Sequence, residues 1–193
     1  IIDPSDVHPY IYFDNPNRDE ASKGGTSIII YNTQNIRNAK CLYRDYDDDN
    51  HWIDPKDNTA STGRVQVISF EFLTKTYLLV NVYAPSVDTT SVKVSFFEHL
   101  TQLLRSNVFS HLTDNLLMVG DWNIVENPRR DTLSLKRDVN GNDSTYLTNI
   151  AAFNDLLSNH LLVDALLANN DGGGDDIGDD ENERSIFTFH HKN

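Results

Sequence analysis

The chain has 193 residues, of which 29 are acidic and 16 are basic, so its formal net charge at pH 7 is −13. This length allows one large domain or two small ones. Hydrophobic residues make up 38% of the chain, which is far more than a disordered chain contains. No apolar run reaches the roughly 20 residues that a membrane helix needs. The negative charge argues against a nucleic-acid partner, because Lys and Arg dominate phosphate binding.

The compartment can be predicted from the first residues and from cysteine usage. The chain does not begin with a basic segment followed by an apolar one, the pattern of a signal peptide. Its single cysteine, Cys41, cannot form an internal disulfide, which is typical of a reducing compartment. We therefore expect a protein of the nucleus or cytoplasm that is not secreted.

The first part of the chain predicts strands separated by polar loops. Residues 10–13 are an aromatic run among Asp, Asn and Pro residues and predict a short strand. The β-branched run at 26–31 predicts a second strand. Residues 44–63 begin with four acidic residues within 45–49 and continue with small polar ones, so we expect an exposed acidic surface insertion.

The middle of the chain predicts a hairpin and a crossover. Residues 64–72 and 77–83 alternate apolar and polar residues around a turn at Thr74 and Lys75, as two paired strands do. Residues 92–104 carry apolar residues at helical spacing. The apolar run at 116–120 then predicts a strand covered on both faces. A strand, a helix and a strand in this order make a parallel or mixed sheet.

The last part of the chain predicts one helix, one insertion and one strand. A helix starts near Ser144, with apolar residues Leu147, Ile150, Phe153 and Leu157. Residues 171–183 combine three consecutive glycines with seven acidic residues and predict a disordered acidic insertion. Residues 186–189 predict a final short strand.

The negative charge is concentrated in the two predicted insertions. Eleven of the 29 acidic residues lie at 45–49 and 171–183, which contain no Lys or Arg, so the rest of the chain has a net charge of −2. Four basic residues lie close together in sequence: Arg129, Arg130, Lys136 and Arg137. A nearly neutral remainder with such a basic rim can bind DNA, with modest and salt-sensitive affinity.

The segment at 116–123, LLMVGDWN, is the most informative for chemistry. It delivers Asp121 and Asn123 at the carboxyl end of a strand, where α/β enzymes place their sites. Alternation along an extended chain would turn both to one side and Trp122 to the other. Asp121 can accept a proton from water, and the neutral amide can bond a phosphate oxygen without repelling it. The alternative is an ordinary turn after a strand, which Asp and Asn also favour.

A second segment, VNVYAPS at 80–86, also carries an apolar strand into a loop. Its Tyr83 can present a hydroxyl to a phosphate or to a metal-bound water. The alternative is a half-buried strand tyrosine, a common role for this residue.

The two segments together, separated by the predicted helix, resemble the endonuclease/exonuclease/phosphatase superfamily that includes DNase I and the apurinic-site endonucleases. Residues 24–30 are similar to its Gly-led strand, and 63–65 to the strand before its Tyr-Ala-Pro motif. The similarity is closest to the endonuclease domain of LINE-type non-LTR retrotransposons, in which an Asn-Pro follows the Gly-Asp-Phe-Asn motif, as at 127–128 here. Residues 153–164 and 187–189 are similar to the later helix and Tyr-Thr-Phe strand of those domains.

This resemblance implies a four-layered α/β/β/α sandwich, here truncated at both ends, and hydrolysis of phosphodiester bonds with Mg²⁺ or Mn²⁺. It implies a monomeric domain that nicks target duplex DNA, within a larger polyprotein that contains a reverse transcriptase. Residues matched by position to the family's site are Tyr83, Asp121 and Asn123 for catalysis, with Thr188, Arg129 and Arg130 contacting DNA. For the two arginines, an ordinary solvated loop is the alternative.

The sequence also departs from the family. The strands that supply its Asn and its metal-binding Glu have no counterpart before Gly24, and its Ser-Asp-His motif has none after Phe189. His190 and His191 lack the Ser-Asp lead, and Thr132 replaces the family's Arg. The alternatives are therefore a catalytically inactive fragment of the same fold, or a superfamily member that acts on a phosphoinositide, a sphingomyelin or an abasic site.

Overall fold

β-branched and aromatic runs form the strands of the protein, and apolar residues at helical spacing form its helices. The computed structural model describes residues 10–17, 25–31, 35–45, 53–54, 59–60, 62–86, 90–106, 109, 111–112, 115–124 and 144–162. Their elements are β1 (Tyr10–Pro16), β2 (Gly25–Tyr31), β3 (Ile36–Arg44), β4 (Ile53–Asp54), β5 (Thr59–Ala60), β6 (Val65–Phe72), β7 (Lys75–Tyr83), α1 (Thr90–Arg105), β8 (Leu116–Asp121) and α2 (Ser144–Asn159). The predicted insertion at 171–183, the strand at 186–189 and residues Arg129, Arg130 and Thr188 lie outside the described residues.

The strands form two main sheets. β1 and β2 pair as an antiparallel ribbon, and the second sheet has the order β3-β6-β7-β8; β4 and β5 make a separate two-residue ladder. β6 is antiparallel to both β3 and β7, whereas β7 and β8 are parallel and joined through α1. The predicted hairpin and the predicted mixed sheet are thus confirmed, in a mixed α/β fold.

The helices cover one face of the four-stranded sheet. Alternate residues of β6 and β7 enter this core, and α1 contributes the apolar residues that its spacing predicts. The buried strand residues are Val65, Val67, Leu78, Val80 and Val82, and the buried helix residues include Val92, Phe96, Phe97 and Leu100. α2 packs on α1 through Phe153, whose ring centroid lies 5.5 Å from that of Phe97. Within the described segments, neither helix is long and apolar enough to cross a membrane.

The ribbon of β1 and β2 covers the opposite face of the sheet. Ile28 and Ile30 of the ribbon and Ile68 of β6 are buried together, with Phe13 and Phe70 packed beside them. The described elements therefore form three layers, which are the ribbon, the four-stranded sheet and the helices.

Two predictions about exposure are wrong. β8 is not covered on both faces, because the ribbon contacts β3, β6 and β7 while Leu117 and Val119 of β8 remain 44% and 46% exposed among the described residues. The predicted surface insertion at 44–63 is not exposed at its ends, since Asp45 and Thr62 are buried. Asp45 is buried because the backbone of residues 63–65 folds over its carboxylate.

Candidate functional site

β7 and β8 end side by side, and their last residues form the candidate site. In the parallel ladder Tyr83 lies opposite Asp121. The Ala84 amide donates to the Asp121 carbonyl at 2.8 Å, which continues the pairing one residue beyond the strand. Because parallel strands end at the same edge of a sheet, two apolar segments distant in sequence bring Tyr83 and Asp121 together.

Gly120 allows the two strands to approach closely at this edge. Its φ is +135°, and a Cβ at this position would lie 1.9 Å from the Val82 carbonyl oxygen. Any other residue would have to move β8 away from β7 directly beside Asp121. The Gly of the Gly-Asp-Trp-Asn segment is therefore required by packing, whatever the chemistry of the site.

The extended chain ends at Asp121, so alternation does not extend to Asn123. Asn123 has a φ of +46°, a left-handed conformation that Asn adopts more readily than most residues. Its amide N–H donates to Asp121 Oδ1 at 3.0 Å, and its Nδ2 donates to the Ala84 carbonyl at 2.8 Å. Trp122 turns into the core, with its ring 5.3 Å from that of Phe153. Asn123 thus joins the ends of both strands.

Lys93 of α1 is a functional candidate that the sequence analysis missed. It is only 4% exposed, and its Nζ donates to the Asn123 carbonyl. A buried ammonium group is costly unless its donors are bonded. The available signal was its position in the helix, since it follows the core residue Val92 on the apolar side of α1.

Arg64 is a second missed candidate. Its Nη1 donates to the Tyr83 carbonyl at 3.1 Å, and its guanidinium carbon lies 5.4 Å from the centroid of the Tyr83 ring, a cation–π arrangement. The Tyr83 amide donates to the Arg64 carbonyl at 2.7 Å. Arg64 therefore places a positive charge beside Tyr83.

A buried carboxylate fixes the segment that carries Arg64. Asp45 is 1% exposed and accepts four hydrogen bonds, from the backbone amides of Gly63, Arg64 and Val65 and from Asn15 Nδ2. Burial raises the pKa of Asp45, while these four donors act in the opposite direction. The raised pKa therefore reflects desolvation.

The metal ligands at this edge are few. Asp121 offers one carboxylate and Asn123 one amide oxygen, whereas protein-bound Mg²⁺ commonly takes one or two carboxylates together with substrate phosphates and waters. Among the described residues no group of three or more His, Cys, Asp or Glu side chains could hold a metal ion. These residues fit part of a magnesium ligand set.

The residues at this edge carry the chemical groups that anion binding and proton transfer require. Tyr83 and Asn123 offer hydrogen-bond donors, Arg64 and Lys93 contribute positive charge, and Asp121 contributes a carboxylate. Comparison of the chain with family models, curated proteins and solved structures gives no match.

Proposed function

We propose that the chain is part of a metal-dependent endonuclease domain that nicks duplex DNA, of the kind found in LINE-type non-LTR retrotransposons, with the four-layered sandwich of that family. The observation that carries this proposal is the pairing of Tyr83 with Asp121 at the carboxyl edge of two parallel strands. An acid and a hydroxyl at such an edge match the positions of the family's Tyr-Ala-Pro and Gly-Asp-Phe-Asn motifs.

In this proposal each residue has one task at the phosphodiester. Asp121 accepts a proton from the attacking water. Tyr83 donates its hydroxyl to a phosphate oxygen, and Asn123 donates the second hydrogen of Nδ2, since the first is bound to the Ala84 carbonyl. When bound, Mg²⁺ supplies charge neutralisation on the phosphate and the leaving oxygen.

Nicking of supercoiled plasmid in the presence of Mg²⁺ tests the proposal. The assay uses the 193-residue chain and a version extended with the flanking residues of its reading frame. Asp121→Asn should lower the nicking rate at least about 100-fold, the usual size of a general-base contribution. Asp155→Asn, on the exposed side of α2, is the matched control and should nick at the parent rate. Equal nicking by both variants would refute the role of Asp121.

A non-catalytic fragment is the second candidate function. The observation in its favour is that the polar groups of Asp121 and Asn123 already bond the local backbone, as they do in a turn without chemistry. Metal-dependent hydrolysis by the 193-residue chain would eliminate this candidate. A panel of plasmid DNA, abasic DNA, phosphoinositide and sphingomyelin would separate the nuclease from the other enzymes of the superfamily.

A further inference from the structure

We propose that Asp45 is a positioning residue for the candidate site, which it controls through Arg64. Asp45 does not reach Tyr83 itself; it fixes the backbone that carries the guanidinium group lying over the Tyr83 ring. This inference rests on the proposed function of the edge formed by Tyr83 and Asp121. It concerns a residue twenty positions before the start of β6.

Asp45 fixes the backbone of residues 63–65 through hydrogen bonds. Its Oδ1 accepts from the Gly63 amide at 2.9 Å, and its Oδ2 accepts from the amides of Arg64 and Val65 at 2.8 and 3.1 Å. Three successive amides on one carboxylate leave this segment little freedom. Because a buried carboxylate makes stronger bonds than a neutral acceptor, the segment is held by charge-assisted hydrogen bonds.

Residues 63–65 have little space in which to move. Gly63 has a φ of +78°, and a Cβ there would lie 2.8 Å from the backbone nitrogen of Asn17. The segment therefore passes close to the end of the ribbon. Asn15, which is fully buried, donates to both Asp45 Oδ1 and the Val65 carbonyl and so ties the ribbon to the same point.

Arg64 connects this segment to the site. The Arg64 carbonyl accepts from the Tyr83 amide at 2.7 Å, and the Arg64 side chain returns to the Tyr83 carbonyl at 3.1 Å. A displacement of the Arg64 backbone therefore moves both the end of β7 and the cation on the Tyr83 ring. Loss of the Asp45 carboxylate should be detected at Tyr83.

The test follows the NMR signal of the Tyr83 ring in the 193-residue chain labelled with ¹³C-tyrosine. Tyr83→Phe assigns the signal. In Asp45→Asn, an NH2 group replaces one carboxylate oxygen and faces the backbone N–H donors of residues 63–65. We expect the resulting displacement of this segment to shift the Tyr83 signal. Asp14→Asn is the matched control: it makes the same carboxylate-to-amide change on an exposed residue of β1, whose carboxylate accepts from Ser27 Oγ at 2.9 Å, and the Tyr83 signal should stay in place.

A double-mutant cycle shows whether Asp45 acts through Arg64. Arg64→Leu removes the guanidinium group but keeps the backbone carbonyl that bonds the Tyr83 amide, so Asp45→Asn should shift the Tyr83 signal less in the Arg64→Leu background than in the parent. In the nicking assay, Asp45→Asn should lower kcat about 10-fold with KM changed less than about 3-fold, and Asp14→Asn should change neither. If Asp45→Asn does not fold, Asp45→Glu takes its place with the same expected direction.

The outcomes separate the two proposals. An unchanged Tyr83 signal in a folded Asp45 variant overturns the inference, as does a full shift in the Arg64→Leu background or an unchanged kcat. Failure of both the 193-residue chain and its extended version to nick DNA refutes the proposed function instead, and the Tyr83 signals then decide alone whether Asp45 controls this edge.

Discussion

Gln66 of β6 is fully buried, and within the described part of the chain its side chain makes no hydrogen bond. Among the described residues, neither Nε2 nor Oε1 has a partner. Its neighbours across the sheet are Arg44 on β3 and Asn81 on β7, and the Asn81 amide is turned to the Ser27 carbonyl instead. Replacing Gln66 with Met keeps the unbranched shape and removes both polar groups.

The size of the effect follows from the two buried groups. Leaving a buried donor or acceptor unbonded costs about 1–3 kcal/mol, and Gln66 carries one of each. Removing both groups therefore stabilises the fold. Imperfect packing of the Met thioether offsets part of this stabilisation, since volume-conserving changes in a core cost up to about 1.5 kcal/mol. We therefore expect Gln66→Met to raise the free energy of unfolding by about 1–5 kcal/mol.

Urea denaturation followed by tryptophan fluorescence measures this change, with the slope m compared between variants. Gln66→Glu is the opposite control, because it buries a charge without a partner and should lower the stability strongly. If Gln66→Met lowers the free energy of unfolding by more than about 1 kcal/mol, the amide has a partner, such as a buried water molecule, and the reasoning is wrong.

Three further changes test the local geometry. The turn between β6 and β7 has positive φ angles at Leu73 (47°) and Thr74 (72°), so the double change to Asn-Gly, which suits this turn, should raise the free energy of unfolding by about 1–2 kcal/mol in urea denaturation. Gly120→Ala should cost about 3 kcal/mol or more and abolish nicking, because its Cβ would overlap a backbone oxygen; a stable, active variant would contradict the packing. Burial, and then the charge of Arg105, lower the pKa of His160 below 6.5, so the unfolded chain binds the proton more readily and stability should fall as the pH drops below 6.5. In denaturation at several pH values, the free energy of unfolding should depend less steeply on pH in Arg105→Gln than in the parent, and least steeply in His160→Gln.

Elements with a clear period could be predicted from the sequence. The pair of β6 and β7, the helix α1 and the strand β8 are each marked by local alternation or by helical spacing. β3 could not be predicted in this way. Its sequence mixes charged and apolar residues, and its pairing with β6 shifts register between Arg37 and Lys40 and again between Cys41 and Tyr43. Such irregular pairing depends on the neighbouring strand, which a local pattern does not contain.

The candidate site divides in the same way. Tyr83 and Asp121 were each predicted at the carboxyl end of an apolar strand, and only the family resemblance assigned both to one site; the parallel pairing of β7 and β8 brings them to one edge. Arg64 and Lys93 were not, because each reaches the site from another element through a single side chain. Asp45 was predicted to be exposed because it stands in a run of acidic residues, whereas its burial depends on amides about twenty residues later in the chain.

The distribution of buried polar residues supports a function for this edge of the sheet. Eight polar or charged residues are buried in the described part of the chain, and six lie at or beside the edge where β7 and β8 end: Asn15, Thr26, Asp45, Thr62, Gln66 and Lys93. At the opposite end, beside the turn of β6 and β7, aromatic rings stack, with the Phe70 and Tyr77 centroids 5.5 Å apart. Buried polar residues depart from an apolar core, and such departures are expected mainly at functional or strained sites. The asymmetry between the two ends therefore favours a site at this edge over a turn that merely ends two strands.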